Sequence, residues 1–304
     1  MRNIMSKDGQ QFSQFSLGCM NLPLDNPSEV EAIIEYALSH NINYFDTADL
    51  YQFGENEFVV GTILSKYRSR HNFTIGTKVG NAFDPTTKEP LGWNPSASHI
   101  KQSVKESLSR LNVKEIDLYQ LHGGTIEDHK DETIQAFEDL KQEGVIKSYG
   151  ISSIRPNVID YYANHSNINT LMSQFNLIDN RPLETLEWLP KDIVVLARGP
   201  LMQGLLTSNH QDILNKKLGG GVLNLSQDTL SKKLKNLESR YGNLTELSYS
   251  FLKYHNAVIL NGVSSLSQLE ENMTAFEQAP DLTETQYNEL YNDLQILKYE
   301  EHRQ

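Results

Sequence analysis

Four titratable side chains carry the chemistry this sequence can offer: Asp46, Tyr51, Lys78 and His122. Each lies at or just past the end of a short apolar run. Asp46 opens Asp46-Thr47-Ala48 with Tyr51 five residues on, Lys78 follows Thr77, and His122 follows Leu121. A carboxylate, a phenol, an ammonium and an imidazole make an acid–base set, and such groups cluster where their pKa values are matched to a reaction. A lysine so placed can also serve as an amine nucleophile through a Schiff base. Taken singly, each has a plain structural role: Asp46 capping a turn, Lys78 solvated in a loop, His122 as one of nine histidines, Tyr51 as one of fourteen tyrosines. The choice between readings turns on whether the chain brings the four together.

The elements that would do so are legible as an alternation. Strand-like runs occupy 15–17, 43–45, 73–77, 116–121, 145–150, 171–175, 193–197 and 257–260. Between them lie stripes at helical spacing, such as Val30, Ile33, Ile34, Ala37 and Leu38, or Ile100, Val104, Leu108 and Leu111. The first helix is predicted to start at Ser28-Glu29-Val30-Glu31, a capping box after Pro27. Eight runs, apolar on both faces and separated by helices, predict an α/β protein with a buried parallel sheet. That count points to a (β/α)8 barrel, with 1–304 as a single domain, since no Pro/Gly/Ser linker divides the chain. A doubly wound sheet is the competing arrangement, but no Gly-x-Gly-x-x-Gly follows the first run.

Reactive residues of such a barrel belong at the C-terminal ends of its strands, so the four candidates are expected on one rim. Long loops there build binding sites more often than they merely connect. The loop 81–95 contains Phe83 and Trp93, which either line a substrate pocket or pack the loop. The stretch between 197 and 257 holds Gly199-Pro200, Gly219-Gly220-Gly221 and a helix near 227–240. The tail from Asp281 to the end, with Lys298 and Arg303 among its acids, reads as a surface helix without chemistry.

Composition narrows the partners. Of 304 residues, 38% are apolar, too many for a disordered chain, and 39 acids against 27 bases leave a net charge of −12. That balance argues against nucleic acid or an anionic membrane as the partner. No apolar run approaches the ~20 residues of a spanning helix, and no apolar leader segment follows the N-terminal residues. The single cysteine, Cys19, forms no internal disulfide. A cytoplasmic address is therefore expected, with a small molecule as partner and no metal.

The motifs themselves are distinctive. Asn43, Asp46-Thr47-Ala48, Tyr51, Gly54, Glu57 and Gly61 resemble, in their spacing, the leading motif of the aldo-keto reductase superfamily in its bacterial form. Thr77-Lys78, Asp117 to His122, Gly150-Ile151-Ser152, and Gly262 with Gln268, Glu271 and Asn272 match further blocks in the same order. The resemblance runs from Leu17-Gly18 to Asn272. It implies a (β/α)8 barrel that exchanges hydride between a nicotinamide cofactor and a carbonyl. Tyr51 is then the general acid on the carbonyl oxygen. A free phenol, with a pKa of about 10, is a poor acid at neutral pH. A nearby ammonium favours the phenolate, and Lys78 supplies that charge while Asp46 positions Lys78. His122 orients the carbonyl oxygen.

Carried over in the same way, Ser152, Ser153 and Gln174 hold the nicotinamide carboxamide, with Ser153 where an Asn is common. Arg198 stands where many members stack an aromatic ring, and Gly199 and Leu201 follow it along the cofactor. Gly262, Ser264 and Gln268 form the adenosine 2′-phosphate segment, with Glu271 and Asn272 on the adenine. Gln268 replaces the Arg of some members. NADP(H) is the expected cofactor, NAD(H) the alternative, and a small aldehyde or ketone the substrate. Two other functions compete: a nicotinamide-binding, redox-sensing regulatory subunit, and a Schiff-base lyase using Lys78.

Overall fold

The computed structural model describes residues 1–301. Its strands are β1 (Asn3–Met5), β2 (Gln11–Ser13), β3 (Phe15–Gly18), β4 (Tyr44–Asp46), β5 (Thr74–Val79), β6 (Asn81–Phe83), β7 (Pro90–Trp93), β8 (Ile116–Leu121), β9 (Ile146–Ser152), β10 (Thr170–Gln174), β11 (Val194–Arg198) and β12 (Val258–Gly262). The helices are α1 (Pro27–Ser39), α2 (Glu55–Ser65), α3 (Ala97–Leu111), α4 (Lys130–Gln142), α5 (Pro156–His165), α6 (Pro182–Leu186), α7 (His210–Lys216), α8 (Gln227–Tyr241), α9 (Leu244–Tyr254), α10 (Leu266–Gln278) and α11 (Glu284–Asp293).

Eight strands close into a parallel barrel in the order β3-β4-β5-β8-β9-β10-β11-β12, with β12 paired back onto β3. These are the eight runs read from the sequence, each within a few residues of its expected limits. Their alternating side chains serve two cores, because successive residues of a strand point to opposite faces. One face points outward toward the helices, with Phe45 and the apolar stripe of α1 in one buried cluster. The other fills the barrel interior with Tyr44, Leu118, Met172, Val194, Leu196, Val258 and Leu260.

The β1–β2 hairpin contributes Ile4 and Phe12 to that interior cluster, and Phe12 meets Tyr44 edge-on at 5.0 Å. It closes the end opposite the strand C-termini. Neither of its strands exceeds three residues, which left no periodic signal to read.

Three expectations need correction. The cap of α1 is Asn26, whose side chain accepts from the Glu29 N–H, with Pro27 at the first helical position and Ser28 already inside the helix. Asn competes well with Ser as a cap, and Pro is favoured immediately after it. The segment 81–95 is not a plain loop; β6 and β7 pair antiparallel across it, with a register shift between Ala82 and Phe83. Among the described residues the acidic tail is helical only over α11, and Arg303 lies outside them. Among the described residues, no helix is long and apolar enough to cross a membrane.

Candidate active site

Asp46 ends β4, and Lys78 lies on β5, whose register sets Asp46 beside Gly76. The Lys78 side chain is fully buried, and its Nζ donates to Asp46 Oδ2 at 2.6 Å and to the Thr47 carbonyl at 2.6 Å. A third, longer contact of 3.4 Å runs from Nζ to the Tyr51 hydroxyl. Asp46 is held from its other side, where Tyr44 Oη donates to Oδ1 at 3.0 Å and Gln120 Nε2 lies at 3.5 Å. Tyr44 crosses the interior over Gly76, where a Cβ would sit 2.3 Å from its hydroxyl, so that position admits only glycine. His122 follows β8, and its ring meets Tyr51 edge-on with centroids 5.8 Å apart. All four candidates thus converge on one point of the rim.

The protonation states follow from the surroundings. Burial pushes the Asp46 carboxyl up, against the pull of the Lys78 ammonium and the Tyr44 hydroxyl. For Lys78, burial works downward, but Asp46 and Tyr51 outweigh it and hold the amine above its ordinary value. Lys78 is therefore an ammonium at neutral pH. His122 is drawn down to about 3, first by burial and then by the charges of Lys78 and Arg198. It is a neutral imidazole across the physiological range, and its Nδ1 has no partner among the described residues. A neutral ring can orient an oxygen by hydrogen bonding but cannot act as a strong acid. The Cys19 thiol is pushed up by burial, so it is inert packing.

The sequence profile of the Aldo/keto reductase family matches residues 15–292, an interval that spans the whole barrel. The chain belongs to the aldo/keto reductase family. A Bacillus subtilis (strain 168) protein, uncharacterized oxidoreductase YqkF, is 44% identical over 300 residues, covering 96% of this chain and 95% of its own length. The holo form of aldo-keto reductase AKR11C1 from Bacillus halodurans superposes with a TM-score of 0.90 at 38% identity, covering 100% of both chains. The NADH-specific methylglyoxal reductase of Escherichia coli (strain K12) is 31% identical over 199 residues, 62% of this chain and 60% of its own length. As an aldo/keto reductase the protein is an oxidoreductase of a family that reduces carbonyls with nicotinamide cofactors, and the remaining candidates can be placed against that chemistry.

Ser152 ends β9, Gln174 ends β10 and Arg198 ends β11, three neighbouring strands of the rim. Ser152 and Ser153 are nearly buried, and Ser153 Oγ accepts from the Arg155 N–H at 3.2 Å. The exposed Arg198 donates to Gln174 Oε1 at 2.9 Å, so its guanidinium is fixed to the carboxamide candidate. Gly199 turns with φ +66°, against the Gln174 amide, and Leu201 follows half-buried. Hydroxyls and an amide offer both donors and acceptors, which fits a carboxamide.

Further round the rim, Gly262 ends β12 beside Gly18. Ser265 caps α10, and Gln268 Oε1 accepts from the Ser264 N–H at 2.9 Å and its hydroxyl at 3.1 Å. Glu271 is exposed and Asn272 half-buried one turn on. Glu29 reaches across from α1 and accepts from the Leu266 N–H at 2.7 Å.

Sequence reasoning passed over Tyr44 and Gln120. Each stands two residues before a candidate (Asp46 and His122), so strand alternation could have placed both on the site's side of the sheet. It also passed over Asp128, which accepts the Trp93 indole N–H at 2.9 Å together with the Thr125 N–H and hydroxyl at 2.7 Å each. The Trp93 ring reaches Gly80 and Gly123, the latter next to His122. Phe83 meets Phe53 edge-on at 5.5 Å. Met20, beside the rim, is exposed, with its carbonyl accepting from Gln52 Nε2.

Proposed function

We propose that the protein reduces the carbonyl of a small aldehyde or ketone, with Tyr51 as the proton donor and NADP(H) as the hydride donor. The observation that carries this reading is the Tyr51 hydroxyl lying 3.4 Å from a buried ammonium that is itself paired with Asp46. Ser152, Ser153 and Gln174 would hold the carboxamide of the nicotinamide ring, which supplies the hydride when bound. Tyr51 gives its proton to the carbonyl oxygen, converting the nascent alkoxide to an alcohol. Lys78 stabilises the charge left on the Tyr51 oxygen, and Asp46 keeps Lys78 charged and aimed. Neutral His122 donates an N–H to the same carbonyl oxygen. Phe83 and Trp93 flank the substrate side of the rim.

Two features bear on the choice of coenzyme. The hydroxyls of Ser264 and Ser265 and the N-terminus of α10 offer hydrogen bonds to a 2′-phosphate. Against that, the stretch 262–278 has no Lys or Arg, and Glu29 already occupies the Leu266 N–H. NAD(H) is thus the competing donor, and the ratio of kcat/KM for the two coenzymes decides between them.

Against a Schiff-base role for Lys78 stands the engagement of its amine with three oxygens and its net upward pKa shift, since an ammonium has no lone pair to attack with. Retention of all four candidates weighs against a purely regulatory subunit. The test is loss of reduced-nicotinamide absorbance with NADPH and NADH over a panel of aldehydes, run beside borohydride trapping. Turnover without an adduct on Lys78 is expected. Tight dinucleotide binding without turnover, or an adduct on Lys78, would contradict the proposal.

A further inference from the structure

Gly54 and Glu57 belong to the motif around Tyr51, yet neither takes part in the chemistry above, and nor does their neighbour Asn56. Asn56 and Glu57 are adjacent in the first turn of α2, and both are fully buried. Thr47 Oγ1 donates to Asn56 Oδ1 at 2.6 Å, and Asn56 Nδ2 donates to the Cys19 carbonyl at 2.8 Å. Thr77 Oγ1 donates to Glu57 Oε1 at 2.5 Å, and Arg110 Nε donates to Glu57 Oε2 at 2.6 Å. Thr47 is the residue after Asp46, and Thr77 the residue before Lys78. The first turn of α2 is therefore tied to the chain on both sides of the Asp46–Lys78 pair.

Tyr51 lies between these ties, at the start of the turn Tyr51–Gly54 that leads into α2. That turn is strained. Gln52 and Phe53 have φ of 45° and 53°, and Gly54 follows at +89°. Left-handed non-glycine residues are unfavourable and persist only where the surroundings over-determine them. Arg110, from the last turn of α3, is one such surrounding group. Its side chain crosses Gly54, where a Cβ would lie 2.8 Å from Arg110 Cδ. The same guanidinium donates to Ser107 Oγ at 3.3 Å and pairs with Glu106 at 3.6 Å, so it is itself fixed.

We propose that Asn56, Glu57 and Arg110 are positioning residues, a buried polar brace that holds the Tyr51 hydroxyl within reach of Lys78. Glu57 joins the strand carrying Lys78 to the helix that follows Tyr51, and Arg110 holds down the turn between them. Asn56 does the same for the chain leaving Asp46. The brace acts through Tyr51 and Lys78 and touches no reacting atom. The proposal rests on the reading of Tyr51 as proton donor.

A brace and a mere helix-to-helix tie make different predictions once Tyr51 has no hydroxyl to position. The experiment introduces Glu57→Gln, Thr77→Val and Arg110→Lys singly into the wild type and into Tyr51→Phe. Single-turnover reduction of 4-nitrobenzaldehyde is followed with NADPH and with NADH, together with KM and dinucleotide Kd. In the wild-type background Glu57→Gln and Arg110→Lys are expected to slow hydride transfer about 10- to 10²-fold, the scale of an ångström-level misplacement. KM and Kd are expected to stay within about twofold, as for loss of an interaction made only in the transition state. In the Tyr51→Phe background none of the three should slow the residual reaction further.

Thr77→Val deletes one hydroxyl and leaves the Glu57–Arg110 pair intact. Should either charge variant fail to fold, Thr77→Val decides, with an expected loss of about three- to tenfold by the same argument. Equal losses in both backgrounds, wild-type rates in the brace variants, or losses confined to Kd would overturn the brace alone. A wild-type rate in Tyr51→Phe itself would overturn the functional reading beneath it.

Discussion

Lys78 is fully buried and relies on its oxygen partners in place of solvent. A buried ion pair of this kind is weak evidence for stability, because desolvation offsets much of the attraction. Its value lies in a fixed charge next to Tyr51. His122 shows the opposite case, a group kept neutral by burial and by the positive charges near it. Its pKa is about 3 in the folded protein against an ordinary 6.5. Between those values the unfolded chain binds a proton at His122 that the folded chain does not. Stability from this group is therefore full above pH 6.5 and is lost as the pH falls toward 3. Denaturant unfolding at pH 7 and pH 5 should show His122→Asn losing about 2 kcal/mol less stability on acidification than the wild type, from two states whose pKa values differ this much. An identical loss in both proteins would mean that His122 titrates normally in the fold.

The elements differ in how plainly the sequence announced them. Eight barrel strands were readable because buried parallel strands are apolar on both faces, and α1 and α3 because their stripes keep helical spacing. The catalytic candidates were legible for the same reason, since Asp46, Lys78 and His122 sit where those strands end. What escaped was set by partners distant in sequence. The β6–β7 hairpin has strands of three and four residues joined by a polar turn, and a tether from outside it is Asp128, which accepts the Trp93 indole N–H from 35 residues away. Of the brace, Glu57 was visible as a motif residue, but Asn56 was not, and Arg110 gives no local sign that it crosses Gly54. Asp128→Ala should leave two backbone or side-chain donors and the indole N–H without their acceptor. A cost of about 1–3 kcal/mol is expected for such partners where they are buried. Two tryptophans, Trp93 and Trp188, report on the change, and a shift in emission should accompany a raised KM for bulky aldehydes with dinucleotide Kd unchanged. Unaltered emission and KM would show that the hairpin holds its place without Asp128.

At the scale of the whole molecule, closure of β12 onto β3 joins the two ends of the matched region, so Gly18 and Gly262 are neighbours. Candidates as distant as Asp46 and Gly262 then share one rim, both neighbours of Gly18. The reading of 1–304 as one domain predicts a single cooperative transition in urea, with tryptophan fluorescence and far-ultraviolet dichroism coincident. Two separated transitions would divide the chain into independent units. The net charge of −12 sets no barrier to a polyanionic dinucleotide, because backbone amides, helix N-termini and single cations such as Arg198 act locally.

The claim on which the rest depends is that Tyr51 delivers the proton. Single-turnover hydride transfer in Tyr51→Phe, with dinucleotide Kd measured on the same preparation, tests it most directly. A rate lowered about 10²- to 10⁴-fold, the range for removal of a general acid, is expected at unchanged Kd. Reduction as fast as in the wild type would contradict it.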